Sequence, residues 1–134
     1  MTLTLTLPAV DTPLTANQRL DRHDRARITK NWRLMAALQA RKAAPMQHAH
    51  ATFYVSHGDA HRRKRDVANW SPTAKAAIDG CTDAGVLPGD DDRYIVGPDP
   101  RLGPVTDSFV LTLVLDDHCG CRECVARFGT DGAA

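Results

Sequence analysis

Two blocks of charge with a lysine between them carry the chemistry of this chain. Arg62, Arg63, Lys64 and Arg65 run without a break into Asp66, Lys75 follows, and Asp90, Asp91 and Asp92 form an acidic triplet. Phosphodiester hydrolysis needs an activated water, a sink for charge developing on the phosphate, and help for the leaving oxygen. Mg²⁺ held by one or two carboxylates, with waters and substrate phosphate completing its octahedron, provides much of this. An ammonium such as Lys75 can meet the developing negative charge. The cations before Asp66 would neutralise neighbouring phosphates and make binding salt-dependent. Spacing alone leaves a second reading equally open, in which the triplet is a solvated turn and Lys75 a surface helix residue.

The elements that must position these residues follow from periodicity. Residues 2–7 alternate leucine with threonine, which predicts a strand. Residues 14–25 are too polar to assign. A helix is expected over 26–44, with Ile28, Trp32, Met35 and Leu38 at helical spacing, Leu34 beside them, and Pro45 ending it. Residues 47–56 alternate again: Ala49, Ala51, Phe53 and Val55 on one face, His48, His50, Thr52 and Tyr54 on the other. His48 and His50 share a side, but with no third ligand nearby in sequence the expectation is a solvated strand face. Ser71 as N-cap and Pro72 in the first helical position open a second helix, stopped at Gly85. Its buried stripe is Ala74, Ala77, Ile78, Cys81 and Ala84, which leaves Lys75 and Asp79, one turn apart, to face a cleft. Tyr94-Ile95-Val96 predicts a short strand, and 97–104, rich in Gly and Pro, a loop. Residues 108–115 are apolar at nearly every position, as a central strand would be. The order predicts a single small α+β (mixed α/β) domain: one mixed sheet of about four strands carrying two main helices.

Charge is unevenly spread. Residues 17–65 hold 12 Lys/Arg against 3 Asp, and residues 66–134 hold 5 against 11 Asp and 1 Glu. That asymmetry favours a nucleic-acid surface in the first half, with Arg19 and Lys30 as contributors beside the basic block. Mutual neutralisation of the two halves in the fold is the bland alternative. No apolar run approaches a membrane span, and the start of the chain reads as a strand and not a signal peptide. A cytoplasmic protein with reduced thiols is expected.

Three stretches read together resemble the RusA family of Holliday junction resolvases. They are Arg-Arg-Lys-Arg-Asp-Val-Ala-Asn-Trp at 62–70, Thr-Ala-Lys-Ala-Ala-Ile-Asp-Gly at 73–80, and Ala-Gly-Val-Leu-Pro-Gly-Asp-Asp-Asp-Arg-Tyr-Ile-Val at 84–96. The family pattern is a basic run, Asp-x-Asp-Asn, a Lys-Ala-Ala-x-Asp helix, Ala-Gly, and an Asp-Asp pair before a short strand. The opening strand, a proline and Asn-Gln-Arg at 17–19 also resemble the family's start, so the likeness runs in order through residues 1–115. It implies a homodimeric, Mg²⁺-dependent (or Mn²⁺-dependent) endonuclease that nicks four-way DNA junctions in recombination and repair, in a bacterial or phage-infected cytoplasm. Carried over, Asp66, Lys75 and Asp92 are the catalytic residues. Asp66, Asp91, Asp92 and Asn69 are the metal-binding set, and the distribution of charge adds Arg62, Arg63, Lys64, Arg65, Arg19 and Lys30 as the expected DNA contacts. Two departures stand out. Ala68 occupies the place of the family's second Asp, and the spacer Trp-Ser-Pro-Thr-Ala between Asn69 and Lys75 is long. The missing carboxylate makes a branched-DNA binder of weak or no activity the alternative.

The tail falls outside that likeness. His118, Cys119, Cys121 and Cys124 are four zinc-type donors within seven residues. Zinc ligands are more often drawn from two separated knuckles. The expectation for 116–134 is therefore a loosely ordered tail, with zinc the lesser alternative.

Overall fold

The computed structural model describes residues 1–9, 11–57 and 67–129. Arg62, Arg63, Lys64, Arg65 and Asp66 lie outside the described residues.

Strand β1 (Thr2–Pro8) is followed by helix α1 (Arg22–Ala40), strand β2 (Ala49–Ser56) and a 3₁₀ turn (Val67–Trp70). Helix α2 (Ser71–Asp83), strands β3 (Ile95–Leu102) and β4 (Val110–Asp116) and helix α3 (Arg122–Phe128) complete the order. The four strands form one mixed sheet in the order β1-β4-β2-β3. β4 pairs antiparallel with both β1 and β2, while β2 and β3 run parallel, joined by α2. This is the α+β domain expected, with the last strand central. β4 shows why: Leu111, Leu113 and Leu115 are fully buried, while Val110, Thr112 and Val114 are half-buried.

The core lies between one sheet face and the two long helices. Alternation sends Leu5 and Leu7, Ala49, Ala51, Phe53 and Val55, and the β4 leucines to that face. Trp32 is fully buried, stands edge-on to Phe109 at 6.0 Å, and donates its indole N–H to the Thr12 carbonyl at 3.0 Å. Thr73, also buried, both donates to the Leu14 carbonyl (2.7 Å) and accepts from its N–H (2.8 Å). The loop after β1 is thereby satisfied against α2.

The elements depart from the sequence reading in four places. Helix α1 begins four residues earlier and ends at Ala40, because Asp21 caps it by accepting from the Asp24 N–H at 2.8 Å. Its buried stripe is Ile28, Trp32, Ala36 and Ala40, whereas Leu34 and Leu38 are 54% and 52% exposed. Small residues win the inner positions because α2 approaches so closely. Second, Ser71 is not a cap: the 3₁₀ turn runs straight into α2, so Trp70 caps it without a side-chain bond and Ser71 is already helical. Third, 97–102 is strand and not loop. Its Gly and Pro are accommodated because β3 is an edge strand and carries a bulge, at which the register shifts from Val96 opposite His50 to Asp99 opposite Thr52. Gly97 sits there at φ +94°, where an added Cβ would lie 2.4 Å from the Ala51 carbonyl. Fourth, the tail expected to be loose carries α3.

Helices α1 and α2 pack closely at Gly80. A Cβ built on Gly80 would lie 2.3 Å from the Arg33 carbonyl oxygen and 2.9 Å from the Ala36 Cβ. Gly80→Ala gains about 1 kcal/mol of helix propensity, but overpacking against a backbone atom costs about 3 kcal/mol. A net loss of about 2 kcal/mol is expected in urea unfolding. Unchanged or improved stability would show that the helices stand further apart.

Candidate functional site

Helix α2 sets the first cluster. Its inner face is Ala74, Ala77, Ile78 and Cys81, all buried, so Lys75 and Asp79 emerge one turn apart on the other side. The Lys75 ammonium donates to Asp79 at 2.6 Å and to Asp90 in the turn that follows the helix. Of the acidic triplet, Asp90 is therefore the member that meets Lys75. Asp91 accepts instead from Arg93 (2.7 and 3.0 Å) and from the Arg93 N–H. Asp92 stands exposed in the same turn. The spacing to the strand could not separate three adjacent aspartates, because one residue in a turn changes direction by a large angle. Asn69 lies in the 3₁₀ turn, and its carbonyl accepts from the Ala16 N–H at 2.8 Å.

The electrostatics agree with the contacts. Burial first, then the neighbouring Asp90, push Asp79 above the usual carboxylate range in spite of Lys75. Asp90 is lowered to about 2 by the Asp79 hydrogen bond and then by Lys75. Burial works against the Lys75 charge, but the two carboxylates outweigh it and its pKa is raised. The two shifts run in opposite directions, as they do for neighbouring acids that titrate as a pair.

A basic groove adjoins this cluster. Arg22, Arg25, Ala26, Thr29, Lys30 and Arg33 line it along α1, so Lys30 takes part, while Arg19 is exposed in the turn before the helix. Arg33 marks the join: it grips Asp83 through two bonds (2.5 and 2.7 Å) and also feels the charges of Asp79 and Asp90. Both partners of that ion pair are over 40% exposed, which limits its worth to about 0.2–1 kcal/mol. Its effect is to orient the guanidinium.

A second cluster lies on the other sheet face. His50, Cys119, Cys121 and Cys124 bring four donor atoms within 4.8 Å of one another, a group able to hold a metal ion. The His50 Nδ1 lies 3.1, 3.6 and 3.5 Å from the three sulfurs in that order, and its Nε2 meets the Asp99 carboxylate at 2.6 Å. The histidine in the group is thus His50 from β2. His118, the residue named from the tail, turns to the Met1 amino group and Asp117. The missed signal was His50 itself, one partner short in sequence and 69 residues from Cys119.

No protein-family model matches the chain, and no curated protein is similar enough to it to count as a relative.

The coupled acids make a pH prediction. Asp90, depressed to about 2, stabilises the fold fully above 3.8, and that contribution is lost as pH falls through about 2. Asp79, raised, acts in the opposite sense and favours the fold at low pH. Carboxyl-carbon NMR titration should find Asp90 near 2 and Asp79 above 3.8. Lys75→Met should move both midpoints up. Two independent midpoints at the usual value, unmoved by that substitution, would mean the three side chains do not meet.

Proposed function

We propose that the chain is a Mg²⁺-dependent endonuclease that nicks branched DNA at four-way junctions as a homodimer. One observation carries this reading: an ammonium held between two carboxylates, Lys75 with Asp79 and Asp90, at the end of the basic groove on α1. The resemblance to RusA-type resolvases, which rests in part on the same residues, points the same way.

Asp79 and Asp90 offer hard oxygen donors, the set that suits Mg²⁺. Asp66, just before the turn that leads into α2, completes that set in this reading, and Asp90 takes the role expected of Asp91 and Asp92. Bound there, Mg²⁺ would supply charge neutralisation at the scissile phosphate. The rest falls to the chain's own groups. Arg22, Arg25 and Lys30 hold flanking phosphates, in concert with Arg62, Arg63, Lys64 and Arg65. Lys75, kept protonated by its two acids, stands ready to meet negative charge developing on phosphate or on the leaving oxygen. By ligand chemistry the second cluster, one imidazole nitrogen and three sulfurs, is the place for zinc and not for Mg²⁺.

A second reading rests on Ala68. With that acid absent, and with Lys75 already neutralising the two that remain, the chain would bind junctions without cutting them.

Synthetic four-way junction and linear duplex, each with Mg²⁺ and with EDTA, separate the two. The nuclease reading expects metal-dependent nicking of the junction. Asp66→Asn, Asp90→Asn and Lys75→Ala should each reduce it about 100-fold or more, while Asp91→Asn leaves it intact. Tight junction binding with no nicking under any divalent ion supports the second reading and sinks the first. Loss of nicking in Asp91→Asn but not in Asp90→Asn would overturn the assignment of the acids.

A further inference from the structure

We propose that His50, Cys119, Cys121 and Cys124 form a closed four-coordinate zinc centre that staples the C-terminal segment to the open face of the sheet. The inference is independent of the nuclease reading.

The distances match a coordination sphere. A tetrahedron with the usual Zn–N and Zn–S lengths has N···S edges of roughly 3.5 Å. The three edges here are 3.1, 3.6 and 3.5 Å. A single ring nitrogen carries one proton or one lone pair, so it cannot satisfy three sulfurs as hydrogen-bond partners. One cation at their centre does.

The surroundings fit the same ion. Asp99 accepts from His50 Nε2 at 2.6 Å, which leaves Nδ1 as the nitrogen free to bind metal. A carboxylate on the far nitrogen is the usual support of a zinc-bound histidine. The Cys124 N–H points to the Cys121 sulfur at 3.4 Å, a contact that stabilises thiolate. Cys124 is buried and the His50 ring is only 16% exposed. Four protein donors leave no open position, which marks a structural centre and not a catalytic one.

The helix that follows has little else to hold it. α3 has seven residues, and Cys124 is its one buried side chain. A helix this short is unstable alone in water. Among the described residues it is also tied by the stack of Phe128 on His48 at 4.1 Å and the Arg127 bond to the Ile95 carbonyl at 2.9 Å. The first docks it beside the residue just before β2, the second to the start of β3. Metal binding here doubles as folding energy for that segment.

The full-length chain, purified without chelator, should carry one zinc per chain by elemental analysis. Cobalt in its place should give the intense visible bands of tetrahedral, thiolate-rich coordination. His50→Ala and Cys121→Ser should lose the metal, and His118→Ala should keep it. Asp99→Asn should weaken zinc binding about 10–100-fold with the fold retained. Chelation should speed amide exchange across 117–129 while α1, α2 and the inner strands stay protected. Metal lost in His118→Ala but kept in His50→Ala would overturn the proposal. So would octahedral cobalt spectra of the unmutated chain, a Cys121–Cys124 disulfide in its place, or exchange in 117–129 indifferent to chelation.

Discussion

The close passage of α1 over α2 at Gly80 is the constraint on which the rest hangs. With no side chain at that position, the α2 backbone comes up against the Arg33 carbonyl and Ala36. That fixes the rotation of both helices at once. Turning α2 so that Gly80, Ala77 and Cys81 face inward leaves Lys75 and Asp79 facing out. Turning α1 so that Ala36 faces inward sets Arg33 beside Asp83 and within the field of Asp79 and Asp90. The neighbourhood of Lys75, Asp79 and the groove is therefore a product of helix packing, and the turn after α2 adds Asp90 to it.

The sheet divides the molecule's chemistry in two. Its inner face is apolar and filled by the helices, with the oxygen-rich cluster beyond them. Its outer face carries His50 and the three thiols. Hard donors and soft donors are thus kept apart by a hydrophobic layer, and each favours a different class of cation.

Much of this could be read from the residues alone, where one physical rule dominated locally. β1, β2 and β4 were legible because alternation of apolar and polar residues decides which face is buried. The Lys75–Asp79 pair was legible from helical spacing. Legibility failed where long-range contacts decide. Leu34 and Leu38 look like core, yet Ala36 and Ala40 take the inner positions because a second helix lies close. Gly97, Pro98 and Pro100 look like loop, yet an edge strand tolerates them. Among three adjacent aspartates, only the path of the turn brings Asp90 to Lys75. His50 and the cysteines are brought together by the pairing of β2 with β4, a relation between segments some 70 residues apart in the chain.

The bulge in β3 does more than admit a glycine. Before it, Val96 sits opposite His50; after it, Asp99 sits opposite Thr52. In an unbroken ladder Asp99 would have fallen opposite Phe53, whose side chain is fully buried among the helices. One extra residue thus inverts the parity of the strand and carries a carboxylate from the oily side of the sheet to the side where His50 needs it. The length of this short edge segment, odd or even, is a chemical instruction in its own right. An insertion or deletion there would read as a frameshift written in side-chain direction, with every codon still in frame.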